Sequence, residues 1–119
     1  MDKINLTEKF SLFTTHWDPK IVGELNDQQV KLVKFAGEFD WHAHANEDEL
    51  FLVIKGSFDM QFRDKTVIVE EGEFIIVPRG IEHCPKAEEE VQVLLFEPKS
   101  TINTGDKKSG KTVLNPGEI

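Results

Sequence analysis

Residues 57–62, SFDMQF, alternate without a break: Phe58, Met60 and Phe62 fall on one side of an extended chain, Asp59 and Gln61 on the other. The same kind of reading runs along most of the sequence. KIVGEL and QVKLVKFAG flank NDQ, which predicts a hairpin turning at Asn26 and Asp27. ELFLVIKG is apolar at nearly every position, the pattern of a strand covered on both faces. RDK turns the chain, and TVIVEEGEF returns it. FIIVPRG is stopped at Pro78 because proline cannot donate to a ladder, and VQVLLFEP ends at Pro98. Near the start, NLTEKFSLF can form one or two helical turns capped by Asn5 or Thr7, too short to stand without packing. From Lys99 onward the chain is polar and ends in NPGEI, which predicts a surface wrap or a partly disordered tail. Turn signals recur about every 8–12 residues, as in sandwiches and barrels. The expectation is an all-β protein of about eight strands with a short N-terminal helical turn, folded as two facing sheets or a closed barrel.

Length and charge narrow this picture. At 119 residues the chain is expected to be a single domain over 1–119, its barrel at about 20–98 and its tail at 99–119. A net charge of −8 argues against nucleic acid and against an anionic membrane surface as partners. The lone Cys84 rules out an intrachain disulfide and fits a reducing compartment. MDKINLTEKF has no apolar leader, and the longest apolar run, Leu50 to Ile54, is too short to span a bilayer. A cytoplasmic location is the expectation.

Two of the four histidines lie one residue apart in WHAHANEDEL. On an extended segment His42 and His44 share a side, with Trp41 and Ala43 opposite. Glu47, Asp48 and Glu49 follow; Glu49 opens the apolar strand and is the carboxylate best placed to be fixed by packed neighbours, with Phe51 and Val53 inward beside it. A third imidazole, His83, comes after the VPRG turn. A His-x-His pair alone often marks nothing more than a half-exposed strand. Three imidazoles and a carboxylate together suit first-row divalent metals, and about two positions of a six-coordinate ion stay open to ligand.

The joint pattern resembles the cupin superfamily. HAHANEDELFLVIKG supplies His42, His44, Glu49 and Gly56 in the order and spacing of that family's first motif, and GEFIIVPRGIEH supplies Gly72, Pro78, Gly80 and His83 of the second. The motifs cover residues 37–83 with about fifteen residues between them, as in small bacterial cupins. Gly37 sits one residue closer to the histidines than the family pattern has it, and Ala87 stands where an asparagine is frequent. The resemblance implies a double-stranded β-helix, or jelly roll, with a divalent transition metal (Mn, Fe, Zn or Ni) held by His42, His44, Glu49 and His83. It also implies a homodimer, often formed by exchange of N-terminal strands.

Other residues read more plainly. Cys84 is expected to point away from the metal as a buried thiol, His16 to lie at the surface or a dimer contact, and Trp41 to serve packing or subunit contact. Arg79 on the PRG turn is a candidate clamp for a carboxylate or phosphate, against the ordinary reading of a solvated turn arginine. Phe35, Phe39, Phe51, Met60 and Phe74 are core candidates that could also line an apolar pocket. Three functions remain open. The first is a metal-dependent enzyme, isomerase-like, acting on a sugar-like or hydroxy-acid molecule, with Glu47 or Asp48 as a candidate proton acceptor. The others are an Fe(II) dioxygenase and a non-catalytic binder of metal or small molecules. The scarcity of basic residues near the mouth counts against a phosphorylated substrate, and Glu49 against the three-histidine thiol dioxygenases.

Overall fold

The side chains that alternate inward in SFDMQF end up at the centre of the molecule, with Phe58 and Met60 fully buried. The computed structural model describes residues 1–119. One helical turn, α1 (Leu6–Phe10), precedes eight strands. These are β1 (Lys20–Leu25), β2 (Gln28–Glu38), β3 (Glu49–Lys55), β4 (Ser57–Phe62), β5 (Thr66–Glu70), β6 (Phe74–Val77), β7 (His83–Pro98) and β8 (Gly117–Glu118). Asn5 caps α1, its Oδ1 accepting from the Glu8 amide at 3.0 Å.

The sheet runs β5-β4-β7-β2-β1-β8, with β3 paired to β6 and to β7. All pairings are antiparallel except β1 with β8. β7 is the spine. Its first residues pair with β4 (Phe62 with His83), and its remainder lies between β2 and β3 (Phe96 opposite both Val30 and Leu50). A strand that serves three neighbours folds the sheet over on itself, giving the jelly-roll barrel expected from sequence. The β1–β2 hairpin turns at Asn26 and Asp27, where Asn26 takes φ 55°. Asparagine tolerates this left-handed conformation better than most side chains.

The inward faces of β2, β3, β4 and β7 build the main core of Val33, Phe35, Phe51, Val53, Phe58, Met60, Val91 and Val93. Outside the barrel, Phe10 and Phe13 pack with Leu32 and reach Ile54 and Leu94. This small cluster covers Ile54 at the end of β3's outer face, while Leu50 and Leu52 on the same face are half-buried.

The last strand departs from expectation. It begins at His83 rather than at Val91, with Pro85 opposite Met60 at the junction of the pairings. Phe74 is not a lining residue: it stands 60% exposed on β6, with Ile76 and Ile68 exposed nearby on β6 and β5. The tail wraps the surface, adds β8 beside β1 and buries Thr101 and Thr104. No helix is long and apolar enough to cross a membrane.

Gly56 alone joins β3 to β4 at φ 95°, and a Cβ there would lie 3.4 Å from Glu90 O and from Val91 Cα and Cβ. Gly56→Ala should therefore cost about 1–2 kcal/mol, read as a lower urea midpoint at unchanged m-value.

Candidate metal centre

The four residues singled out by sequence converge. One ligand atom each from His42, His44, Glu49 and His83 lies within 4.8 Å of the others, and all four side chains are buried. Glu49 is the first residue of β3, paired to Val77 of β6. Alternation from Phe51 and Val53 turns it inward. His83 is the first residue of β7. His42 and His44 do not lie on a continuous strand, contrary to the extended reading. His42 forms an isolated bridge with His83, exchanging hydrogen bonds of 3.1 and 2.9 Å, while the His44 carbonyl accepts from Gly80 N at 2.7 Å. The rings still meet: His42 is 5.0 Å from His44 and 4.3 Å from His83 between centroids.

The hydrogen bonds of the rings fix what faces the centre. Nδ1 of His42 lies 2.8 Å from the Asp40 carbonyl, and Nδ1 of His83 lies 2.9 Å from the Ile81 carbonyl. A carbonyl only accepts, so both Nδ1 atoms carry the proton and both Nε2 atoms present lone pairs, the tautomer a metal ligand needs. His83 Nε2 then faces Glu49 Oε1 at 3.3 Å, lone pair against lone pair, and His44 Nε2 approaches the same oxygen at 2.7 Å. His44 Nε2, His83 Nε2 and Glu49 Oε1 are all buried without a hydrogen-bond partner. Three unpartnered buried polar atoms so close together are costly unless a cation joins them. The residues present fit a divalent transition metal.

Electrostatics agree. Burial, and then the neighbouring His83, lowers the His42 pKa to about 4, with the Asp40 carbonyl pulling the other way. Burial alone would raise the Glu49 carboxyl, but the His44 and His83 rings hold it well below the usual carboxylate range. His42 and Glu49 are thus ready for metal without first losing a proton.

Sequence reasoning missed two residues behind Glu49. Glu97 lies on β7 one step beyond the Leu50–Phe96 pair, and its carboxylate is 3.2 Å from the Lys31 ammonium, both buried. Burial and the Glu49 charge push the Glu97 carboxyl well above its ordinary range against the pull of Lys31. The signal was present: the alternation Val91, Val93, Leu95 points Glu97 inward, and Val33 and Phe35 do the same for Lys31.

Beside the metal group is a small chamber of about 30 Å³ open to the centres of water-sized spheres, reached by His42 and Glu49 and walled by Trp17, Phe35, Phe39 and Phe51. Trp17 stacks on Phe35 and Phe39 at 4.5 and 4.7 Å and donates from Nε1 to the Ala36 carbonyl. Nothing in the sequence marked it. Met60 is core and lies away from the chamber wall.

Other candidates find ordinary roles. Arg79 is exposed and turned to Asp48, which its backbone N–H also contacts at 2.8 Å, so it is no clamp at the chamber. Glu47 accepts from Ser100. The Arg63 guanidinium covers Trp41 at 3.9 Å, and His16 pairs at the surface with Glu90. Cys84 is buried, its thiol raised to about 11 by burial and the Glu38 charge, so it is not a nucleophile.

A jelly-roll barrel with this donor set at its interior defines the class, and the comparisons agree. The cupin domain model (Cupin_2) matches residues 30–97, and the chain belongs to that family. It is similar to a cupin-2 domain protein of Shewanella frigidimarina, 47% identical over 81% of this chain and 94% of that one, with a TM-score of 0.80. A Neisseria meningitidis protein is 28% identical over 82% and 100%, with a TM-score of 0.76. An uncharacterized Bacillus subtilis protein, YdbB, is 40% identical over 63 residues, 52% of this chain and 56% of that protein. That match spans little more than half of the curated relative's length.

The pH dependence of the metal-free protein follows from His42. Its folded pKa near 4 lies below the ordinary 6.5, so unfolding takes up a proton as pH falls. The stability it contributes is full above about 6.5 and is lost as pH falls toward about 4. Glu97, raised, runs the opposite way, so the difference isolates His42. The Tm of wild type minus that of His42→Gln should be flat above pH 7 and decline between 6.5 and 4. A difference independent of pH contradicts the assignment.

Proposed function

We propose that this cupin binds one divalent transition metal through His42, His44, Glu49 and His83. We read it first as an enzyme acting on a small sugar-like or hydroxy-acid molecule by isomerase-type chemistry. The observation that carries the metal is the lone-pair opposition of His83 Nε2 and Glu49 Oε1 inside a buried donor set. When bound, the metal would supply Lewis-acid polarisation of a substrate oxygen at its open positions.

The chain's own residues do the rest. Asp40 and Ile81 hold the tautomers of His42 and His83, and Phe35, Phe39 and Phe51 give the chamber its apolar wall. No Lys or Arg lines that chamber, which favours an unphosphorylated substrate of modest polarity. Its small volume means that a sugar-sized molecule enters only if Trp17 or the tail beside it moves.

A second reading, an Fe(II)-dependent dioxygenase, draws on two observations. The chamber is small and mainly apolar, suited to a diatomic molecule, and Glu47 and Asp48, the proton acceptors weighed from sequence, are engaged by Ser100 and Arg79.

Elemental analysis of purified protein should find about one divalent metal per chain and almost none in the His42→Ala/His44→Ala variant; undiminished metal in the variant refutes the site. With metal restored, isomerisation without oxygen uptake supports the first reading and oxygen uptake the second. Silence in both leaves a non-catalytic binding protein.

The homodimer is also proposed, supported by the exposed Ile68, Phe74 and Ile76 on β5 and β6. Sedimentation should give twice the 13.6 kDa chain mass for wild type and a monomer for Phe74→Glu/Ile76→Glu. A wild-type monomer removes the proposal.

A further inference from the structure

Between Glu38 and Glu49 the chain has no regular structure apart from the His42 bridge, so the shape of the histidine segment depends on what grips its backbone. Two grips come from the neighbouring second motif, His83 on His42 and Gly80 on His44. The third comes from the C-terminal tail. Asp106 Oδ1 accepts from Ala43 N, and Asp106 N donates to the Ala43 carbonyl, both at 3.0 Å. One tail residue therefore holds both backbone polar groups of the residue between the two histidines.

Contacts on either side tighten this hold. Gly105 has φ 57° and lies so close that a Cβ there would overlap the Ala43 carbonyl and come within 3.1 Å of His42 Cδ2. Only glycine fits that approach without displacement. Further on, Ser109 Oγ donates to Asp40 Oδ2 at 2.5 Å, and Lys111 lies 3.7 Å from Asp40 Oδ1. Asp40 is the residue whose carbonyl sets the His42 tautomer.

The tail is also closed on itself. Thr104 Oγ1 meets Thr112 Oγ1 at 2.7 Å. Asn103 donates to the Lys111 carbonyl and accepts from Val113 N, each at 2.8 Å. A segment braced in this way transmits position rather than yielding to the loop it touches.

We infer that residues 103–113 are a strap that orients His42 and His44 toward the metal, with Asp106 the positioning residue. This rests on the metal-binding reading above. The barrel's strand pairings do not include the strap, so its effect falls on the geometry of the centre before the fold.

The test uses Co(II), whose visible absorption reports coordination geometry, on the full chain. Asp106→Ala should weaken Co(II) binding about 10- to 100-fold and alter the spectrum, as loss of a supporting contact to a ligand does. Asp106→Asn, which keeps an accepting oxygen for Ala43 N, should restore the wild-type spectrum and an affinity within about threefold. Lys108→Ala, exposed in the same strap, should change neither. Gly105→Ala retains the Asp106 carboxylate but crowds Ala43 and His42; it should move the spectrum independently should Asp106→Ala fail to fold. A merely structural strap would lower the Tm of Asp106→Ala and Gly105→Ala with Co(II) affinity and spectrum unchanged, and that result overturns the inference. Wild type that binds no Co(II) overturns the metal reading and the strap together, a result distinguishable from the first.

Discussion

Glu49 is a carboxylate almost sealed from water, facing His44 Nε2 at 2.7 Å and, at 3.3 Å, a His83 Nε2 whose ring proton sits on Nδ1. A charge in that position is expensive by several kcal/mol even after the surroundings relax. What keeps it there is strand register. Phe51 and Val53 share its face of β3 and are fully buried, and each stabilises the fold by about 1.5–3 kcal/mol. Turning Glu49 outward would require a one-residue slip that sends both into solvent. The hydrophobic effect thus holds a charged ligand where electrostatics alone would not, and the pairings of β3 with β6 and β7 make that register rigid.

The same logic extends to Lys31 and Glu97. Both belong to alternating strands whose other inward positions are apolar, so both are carried inside by their neighbours. Once inside they must find each other, and they do, at 3.2 Å. A buried pair of this kind adds little net stability, but removal of one partner leaves the other charge stranded. Lys31, Glu97 and Glu49 form a short line of ionisable groups leading from β2 to the metal group, set by the period of three strands.

That period explains what could be read in advance. SFDMQF carries its structure in local alternation, FIIV and VQVLLF in apolar runs ended by proline, and the histidine pair, Glu49 and His83 were legible because ligand chemistry restricts residue types. Glu97 and Lys31 were equally legible by alternation, but charged residues near strand ends read as solvated. The start of β7 was hidden because Pro85 and a run of glutamates signal a loop, while the structure uses that stretch to pass from β4 to β2. Trp17, Gly105 and Asp106 had no local signature at all. Their roles exist only once segments distant in sequence meet: Trp17 against Phe35 and Phe39, and Asp106 against Ala43, 63 residues earlier.

The irregular path of the histidine segment shapes the site. On a regular strand, residues two apart are separated by about 6.7 Å with side chains nearly parallel. Here the chain leaves strand geometry after Phe39, and the His42 and His44 rings stand 5.0 Å apart at 89° to each other. One ligand atom of each ring lies within 4.8 Å of those of His83 and Glu49, which stand at the starts of β7 and β3. A loop free of the ladder can adopt that bend, but it forgoes the ladder's rigidity. The barrel supplies the fixed half of the donor set through strand register. The loop supplies the adjustable half, held by hydrogen bonds to its backbone from the second motif and the tail.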